Sequence, residues 1–214
     1  MYVKNRMTMN PYTIAFDAPI TDVIELMREK NLKRVPVVNG EKVVGMLTRS
    51  DIQKVSPTKA TTLSIYEINY LLAKTKVSDA MTKEVITISP DALLEEAAVL
   101  MRDSRVGTLV VVKDDKLIGI ITESDIFEAF IDLLGFRETG SRITIQAQDV
   151  PGILADIAEI FKDLNFNITH IAVYRGNSGY SDIVIRTSSI NTDALEEKLN
   201  EHGYKIESII RNED

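Results

Sequence analysis

The sequence predicts an α/β (α+β) protein in which two β-α-β-β-α units form a pseudo-symmetric pair, followed by a separate β-α-β-β-α-β domain. Three observations predict this. The first is an ungapped internal repeat at an offset of 74 positions. The second is the same run of strand and helix patterns inside each copy. The third is a change of pattern beyond Gly135, where alternating segments and two amphipathic stretches appear in a new order.

The repeat places Met7-Thr8 on Met81-Thr82, Thr13-Ile14 on Thr87-Ile88 and Asp17-Ala18 on Asp91-Ala92. It continues through Leu26-Met27-Arg28 on Leu100-Met101-Arg102 and Val37-Val38 on Val111-Val112. It ends with "GMLTRSDI" at 45–52 on "GIITESDI" at 119–126. In each copy a short β segment ("YTIAF", "VITIS") leads into a helix. Its apolar positions are Ile20, Val23, Ile24 and Met27 in the first copy, and Leu93, Ala97, Leu100 and Met101 in the second. Two β runs follow, joined by tight turns at Asn39-Gly40 and Asp114-Asp115, and so read as hairpins. A second helix starts at "TRSDI" or "TESDI". One such unit buries little surface alone, and two packed sheet to sheet would share a core.

The boundaries predicted are 1–56 for the first repeat, 57–76 for a connecting helix and linker, and 77–134 for the second repeat. A linker at 135–140 and a domain at 141–214 complete the chain. Ser56-Pro57 stops the preceding helix, and Thr62 or Ser64 caps a helix from about Ile65 to Lys74. That helix is a connector, or a dimer contact through Tyr66 and Tyr70. In the last domain "RITIQAQ" reads as a strand and "DVPGILADIAEIFKDLN" as a helix with Asp149 as cap. "NITHIAVYR" and "YSDIVIRT" flank a hairpin at "GNSG". A helix capped by Asn191 and stopped by Gly203, then the strand "YKIESII", give the ferredoxin-like order.

Composition narrows the function. The 214 residues carry a formal charge of −7, which argues against a nucleic-acid partner, since that would call for a basic face. There are no cysteines and only His170 and His202 as histidines, so thiolate metal sites, a Cys nucleophile and a His-based metal cluster are excluded. No apolar run reaches the ~18 residues of a membrane span, and the start "MYVKNRMTMN" lacks a signal-peptide core. The expectation is a cytoplasmic protein with no membrane partner. No nucleophile–base pair, metal spacing or phosphate loop of the Walker type marks an enzyme.

The repeated phrase has two readings. Thr48 with Asp51, and Thr122 with Asp125, fit a capping box. The same spacing at a helix start suits a ribose-phosphate ligand: N–H groups and a Thr hydroxyl face the phosphate, and an acceptor-only Asp takes the ribose hydroxyls. On Gly-x-x-Thr-x-x-Asp, the "RVPVV" strand and the opening Val-x-x-x-Met of both copies, residues 1–134 resemble a tandem pair of cystathionine-β-synthase (CBS) domains, a Bateman module. The resemblance implies two clefts for an adenine nucleotide (AMP, ADP or ATP, with S-adenosylmethionine a weaker candidate), each completed by the other repeat. One would combine Thr48, Arg49 and Asp51 with Val85, Ile86, Gly107 and Thr108. The other would combine Thr122 and Asp125 with Pro11, Tyr12, Lys33, Arg34 and Pro36. Because Lys33-Arg34 stand where the other repeat has Gly107-Thr108, the Asp125 cleft is expected to be the stronger phosphate site.

Residues 141–212, with Asp149, Pro151, Gly152 and Leu154 at the first turn, resemble an ACT domain, which implies an amino acid or other small effector bound there, or dimerisation. The full order resembles the acetoin-utilisation AcuB type of regulatory protein. The function implied is a non-catalytic homodimeric regulator acting on a further protein. The alternatives are a structural dimerisation module with degenerate clefts, and an enzymatic component of acetoin or related carbon metabolism.

Overall fold

A computed structural model describes residues 1–55, 64–176 and 179–213. Ser56-Pro57, Thr62 and the middle of the "GNSG" turn lie outside the described residues. The chain divides into two compact units, Met1–Phe127 and Glu128–Asp214.

In the first unit the first repeat contains β1 (Thr8–Met9), β2 (Ile14–Ala15), α1 (Ile20–Glu29), β3 (Arg34–Asn39), β4 (Lys42–Thr48) and α2 (Arg49–Val55). After α3 (Ile65–Lys74) and the short α4 (Val77–Ala80), the second repeat supplies β5 (Thr87–Ile88), α5 (Leu94–Ser104), β6 (Thr108–Lys113), β7 (Lys116–Thr122) and α6 (Glu123–Leu133). The division between the units falls within α6. β2 runs parallel to β3, and β3 antiparallel to β4; β5, β6 and β7 repeat this arrangement. Both hairpins turn through left-handed residues: Gly40 in one, Asp114 and Asp115 in the other.

Helix α1 buries Ile20, Val23 and Met27 against Val35, Val37 and Leu47, one face of a 3.6-residue period on the core side of the sheet. In α5 the buried set is Leu94, Ala97 and Met101, and Leu93 is the exposed residue before the helix. The expected core position Leu93 is therefore one residue early. Leu94 stands at the repeat position of Ile20, where a side chain falls on the core face.

The two repeats exchange their opening segments. Thr8 of β1 pairs with Ile120 of β7, and Thr82 bridges Met46 of β4. The amides of Val3 and Val77 donate to Ala92 and Ala18, both at 2.9 Å, and those of Lys4 and Ser78 to Pro90 and Phe16, also at 2.9 Å. Every member of these pairs is related to its counterpart by the repeat offset. Val3 and Val77 are fully buried, so each repeat anchors its first residues in the other. This explains the glycine in the repeated phrase. A Cβ on Gly119 would lie 2.8 Å from the carbonyl oxygen of Thr8 and 2.9 Å from Met7 Sδ. One on Gly45 would meet Met81 Sδ and lie 3.0 Å from the carbonyl oxygen of Thr82.

Ser64 caps α3: its hydroxyl accepts from the Glu67 amide at 3.3 Å, and the Glu67 carboxylate accepts from the Ser64 amide at 2.8 Å. Ser64→Ala is expected to cost about 1 kcal/mol, read as a lower denaturation midpoint of the first unit with little change in the second. Leu72 packs on the first-repeat core, and Tyr66 and Tyr70 are exposed.

The second unit contains β8 (Gly140–Gln148), α7 (Ile153–Asp163), β9 (Ile168–Arg175), β10 (Tyr180–Thr187), α8 (Asp193–Glu201) and β11 (Lys205–Asn212). Its antiparallel sheet has the order β11-β8-β10-β9, that of the ferredoxin-like plan. Ile143, Ile145, Ile183 and Ile185 on one face pack against Ile157, Ile160, Phe161, Leu195 and Leu199 of the two helices. Left-handed Gly203 follows α8 as expected. Thr192 is the N-cap position of α8, and Asn191 accepts from the Asp193 amide at 3.0 Å.

Candidate functional site

A cleft of about 280 Å³ brings together Thr48 at the end of β4, Val85 and Ile86 from the segment before β5, and Gly107 and Thr108 at the start of β6. Met46, Thr82, Glu84 and Val106 complete it together with Arg34. Arg34 was expected in the other cleft, and here the expectation needs correcting. Its guanidinium donates to Thr108 Oγ1, whose own hydroxyl donates to the Gly107 carbonyl at 2.7 Å. The reason is symmetry. Residues 34 and 108 occupy the same position of the two repeats, so their contact lies on the pseudo-two-fold axis, and a long side chain there can enter either cleft. The argument that made the Asp125 cleft the stronger phosphate site loses its main cation. Lys33 beside it is exposed.

Asp51 is 7% exposed. One of its oxygens accepts from the Thr48 amide at 3.0 Å and the Thr48 hydroxyl at 2.6 Å; the other accepts from Lys54 Nζ at 3.0 Å. Burial pushes this carboxyl up, but the Thr48 hydroxyl, Lys54 and the Thr48 amide together hold it below the ordinary carboxylate value. Its stabilising share is therefore complete at neutral pH and is lost only as pH falls through that lowered value. Arg49 turns away from the cleft, its Nε donating to the Leu32 carbonyl at 3.0 Å.

The second copy repeats the cap. Asp125 accepts from the Thr122 amide and hydroxyl, both at 2.7 Å, through one oxygen. Among the described residues no hydrogen bond reaches its other oxygen, since the position of Lys54 is taken by Glu128. Pro36 is buried in β3, while Tyr12 is exposed with Lys30 Nζ 5.6 Å from its ring centre. The two phrases thus differ in resources. The Thr48 cleft holds a guanidinium, and among the described residues Asp125 keeps one acceptor oxygen without a hydrogen bond.

At the turn before α7 Asp149 is not a cap. Its carboxylate accepts from Arg175 Nε at 3.0 Å, and left-handed Gly152 occupies the N-cap position. Pro151 precedes it, and Leu154 is exposed in the first turn. The signal the sequence reading missed is Arg175, which ends an edge strand opposite the turn.

Comparison with known proteins places the chain in a family. The CBS domain family profile matches residues 3–57 and 77–132. The chain belongs to the CBS-domain family. Its CBS pair is followed by an ACT domain, matched over residues 141–204. An uncharacterized protein of Methanocaldococcus jannaschii is 35% identical over 155 residues, covering 61% of this chain and 92% of that protein. Another relative is longer: the chain spans 26% of the inosine-5'-monophosphate dehydrogenase of Korarchaeum cryptofilum, at 29% identity. Among solved structures, an AcuB protein of Vibrio cholerae assigned to acetoin utilization is 29% identical with a TM-score of 0.53, covering 64% of this chain and 95% of that one. CBSX2, solved in complex with AMP, is 28% identical with a TM-score of 0.51, covering 62% and 97%. The CBS pair of protein MJ0100, solved with 5'-methylthioadenosine and S-adenosyl-L-methionine, is 26% identical with a TM-score of 0.50, covering 61% and 95%. Among the described residues no helix is long and apolar enough to cross a membrane.

Proposed function

We propose that the protein is a non-catalytic regulator whose CBS pair senses an adenine nucleotide, with AMP the first candidate. The ACT domain then serves a second small metabolite or holds a homodimer. The observation that carries this reading is the Arg34 guanidinium beside Thr48 and Thr108, with Val85 and Ile86 in the same cleft. A phosphate suits the cation and hydroxyls, and a purine suits the two branched apolar side chains. The AMP held by CBSX2 and the adenosine derivatives held by the MJ0100 pair support the same ligand class. Regulation then requires the nucleotide to bind two arrangements of the protein with different affinity.

Thermal unfolding of the full chain with AMP, ADP, ATP and S-adenosylmethionine tests the reading. A ligand at a hundred times its dissociation constant adds about 2.7 kcal/mol, so at least one should raise the first transition by several degrees. No shift with any of the four would remove the sensor reading and leave a structural module.

A further inference from the structure

The sheet of the second unit has a second face, away from α7 and α8, whose chemistry differs from that of the core. In register across β8, β10 and β9 stand Arg142, Arg186 and His170, directly opposite one another and therefore on one face. The last turn of α6 and the segment after it close this face over a cavity of about 170 Å³ lined by Phe130, Leu134, Phe136, Val184 and the three basic residues. Arg186 is 8% exposed. Its guanidinium lies over the Phe136 ring, with Cζ 5.8 Å from the ring centre, and among the described residues it makes no hydrogen bond or ion pair. Arg142 donates to Thr144 Oγ1 at 2.9 Å, and Glu138 lies 3.4 Å from His170 Nδ1.

This arrangement is unfavourable as it stands. Like charges directly opposite in a sheet repel, and a buried guanidinium with no acceptor loses its hydration without replacement. Burial, then the neighbouring Arg142, push the Arg186 guanidinium below its ordinary value, and Glu138 opposes them. An arginine stays charged in proteins, so what the pocket lacks is an acceptor.

We propose that this pocket binds a small organic carboxylate with an apolar body, its carboxylate held in the forks of Arg186 and Arg142 and its hydrocarbon part against Phe130, Leu134 and Val184. Two guanidiniums can each present paired N–H donors to carboxylate oxygens, and the small apolar cavity favours a singly charged acid over a larger polyanion. The site lies on the opposite face of the sheet from the two helices and away from the Asp149–Leu154 turn. It is also independent of the nucleotide reading.

Calorimetric titration of the full chain with isovalerate and phenylacetate tests the proposal, with isovaleramide as the neutral match and inorganic phosphate as the competing anion. At least one carboxylate should bind, and the amide should not. Arg186→Met and Arg142→Met should each weaken binding by at least about tenfold. Arg186→Met should melt no lower than the native chain, because it removes a buried repulsion, and AMP affinity should be unchanged in both variants. A merely structural arginine would instead lower the melting temperature on substitution and give no carboxylate heat in the native chain. The proposal is overturned by that pattern, by equal binding of acid and amide, by binding of phosphate alone, or by undiminished binding in both variants.

Discussion

Gly119→Ala is expected to lower the melting temperature of the CBS pair by several degrees and to loosen residues 2–10 from it. The added methyl would lie 2.8 Å from the Thr8 carbonyl oxygen and 2.9 Å from Met7 Sδ. The thioether can swing aside, but the carbonyl belongs to a strand held by its pairing with β7. Overpacking of this kind costs about 1–3 kcal/mol, and each kcal/mol moves the midpoint of a domain this size by about 2–4 °C. Hydrogen exchange separates the cause from general strain. The Asn10 amide, which donates to the Ile118 carbonyl at 3.2 Å, should exchange faster in Gly119→Ala. In Gly40→Ala, which strains a left-handed turn but brings no atom near Thr8, it should stay protected, since a Cβ at Gly40 meets nothing within 4 Å. An unchanged midpoint and an unchanged Asn10 would mean that the Thr8 carbonyl does not cross Gly119 as closely as described.

Arg34→Met should weaken AMP binding by roughly tenfold to a hundredfold. A charge-assisted hydrogen bond is worth about 1.5–3 kcal/mol, and about 1.4 kcal/mol is a factor of ten. Methionine keeps an apolar stem along β3, and Thr108 retains its bond to the Gly107 carbonyl, so the change removes mainly the charge. Raising salt should weaken AMP binding to the native chain more than to the variant, since screening acts on the lost interaction. Asp125→Asn supplies the contrast, because it leaves Arg34 and the Thr48 cleft intact. Full AMP affinity in Arg34→Met together with its loss in Asp125→Asn would move the nucleotide to the other cleft.

The duplication was legible because a constant offset survives in sequence whatever the fold does. The hairpins were legible because Gly40 and Asp114-Asp115 are local turn chemistry. The ferredoxin-like order followed from periodicity in the same way. Leu93 was misassigned for a local reason: a one-residue error on a helix rotates the side chain off the core face, and the repeat partner Ile20 pointed to Leu94. Arg34 was misassigned for a non-local reason. A side chain on a pseudo-two-fold axis is equidistant from both clefts in any sequence-level scheme, and its bond to Thr108 chooses between them. Asp149 fitted a cap by position, but Arg175 lies 26 residues away in sequence and competes for the same carboxylate. The basic row of Arg142, Arg186 and His170 left no trace in the sequence, because it exists only once three strands are in register.

The exchange of opening segments also constrains how the chain can be made. Thr8 leaves the ribosome more than a hundred residues before Ile120, the partner it needs. At about 5–20 residues per second the N-terminal segment waits on the order of ten seconds with Val3 and Met7 unburied. A nascent first repeat therefore presents a vacant edge on β4 and an unplaced tail of its own at the same time. A second nascent chain on the same messenger offers complementary pieces, and this makes intermolecular exchange the natural misassembly of the fold.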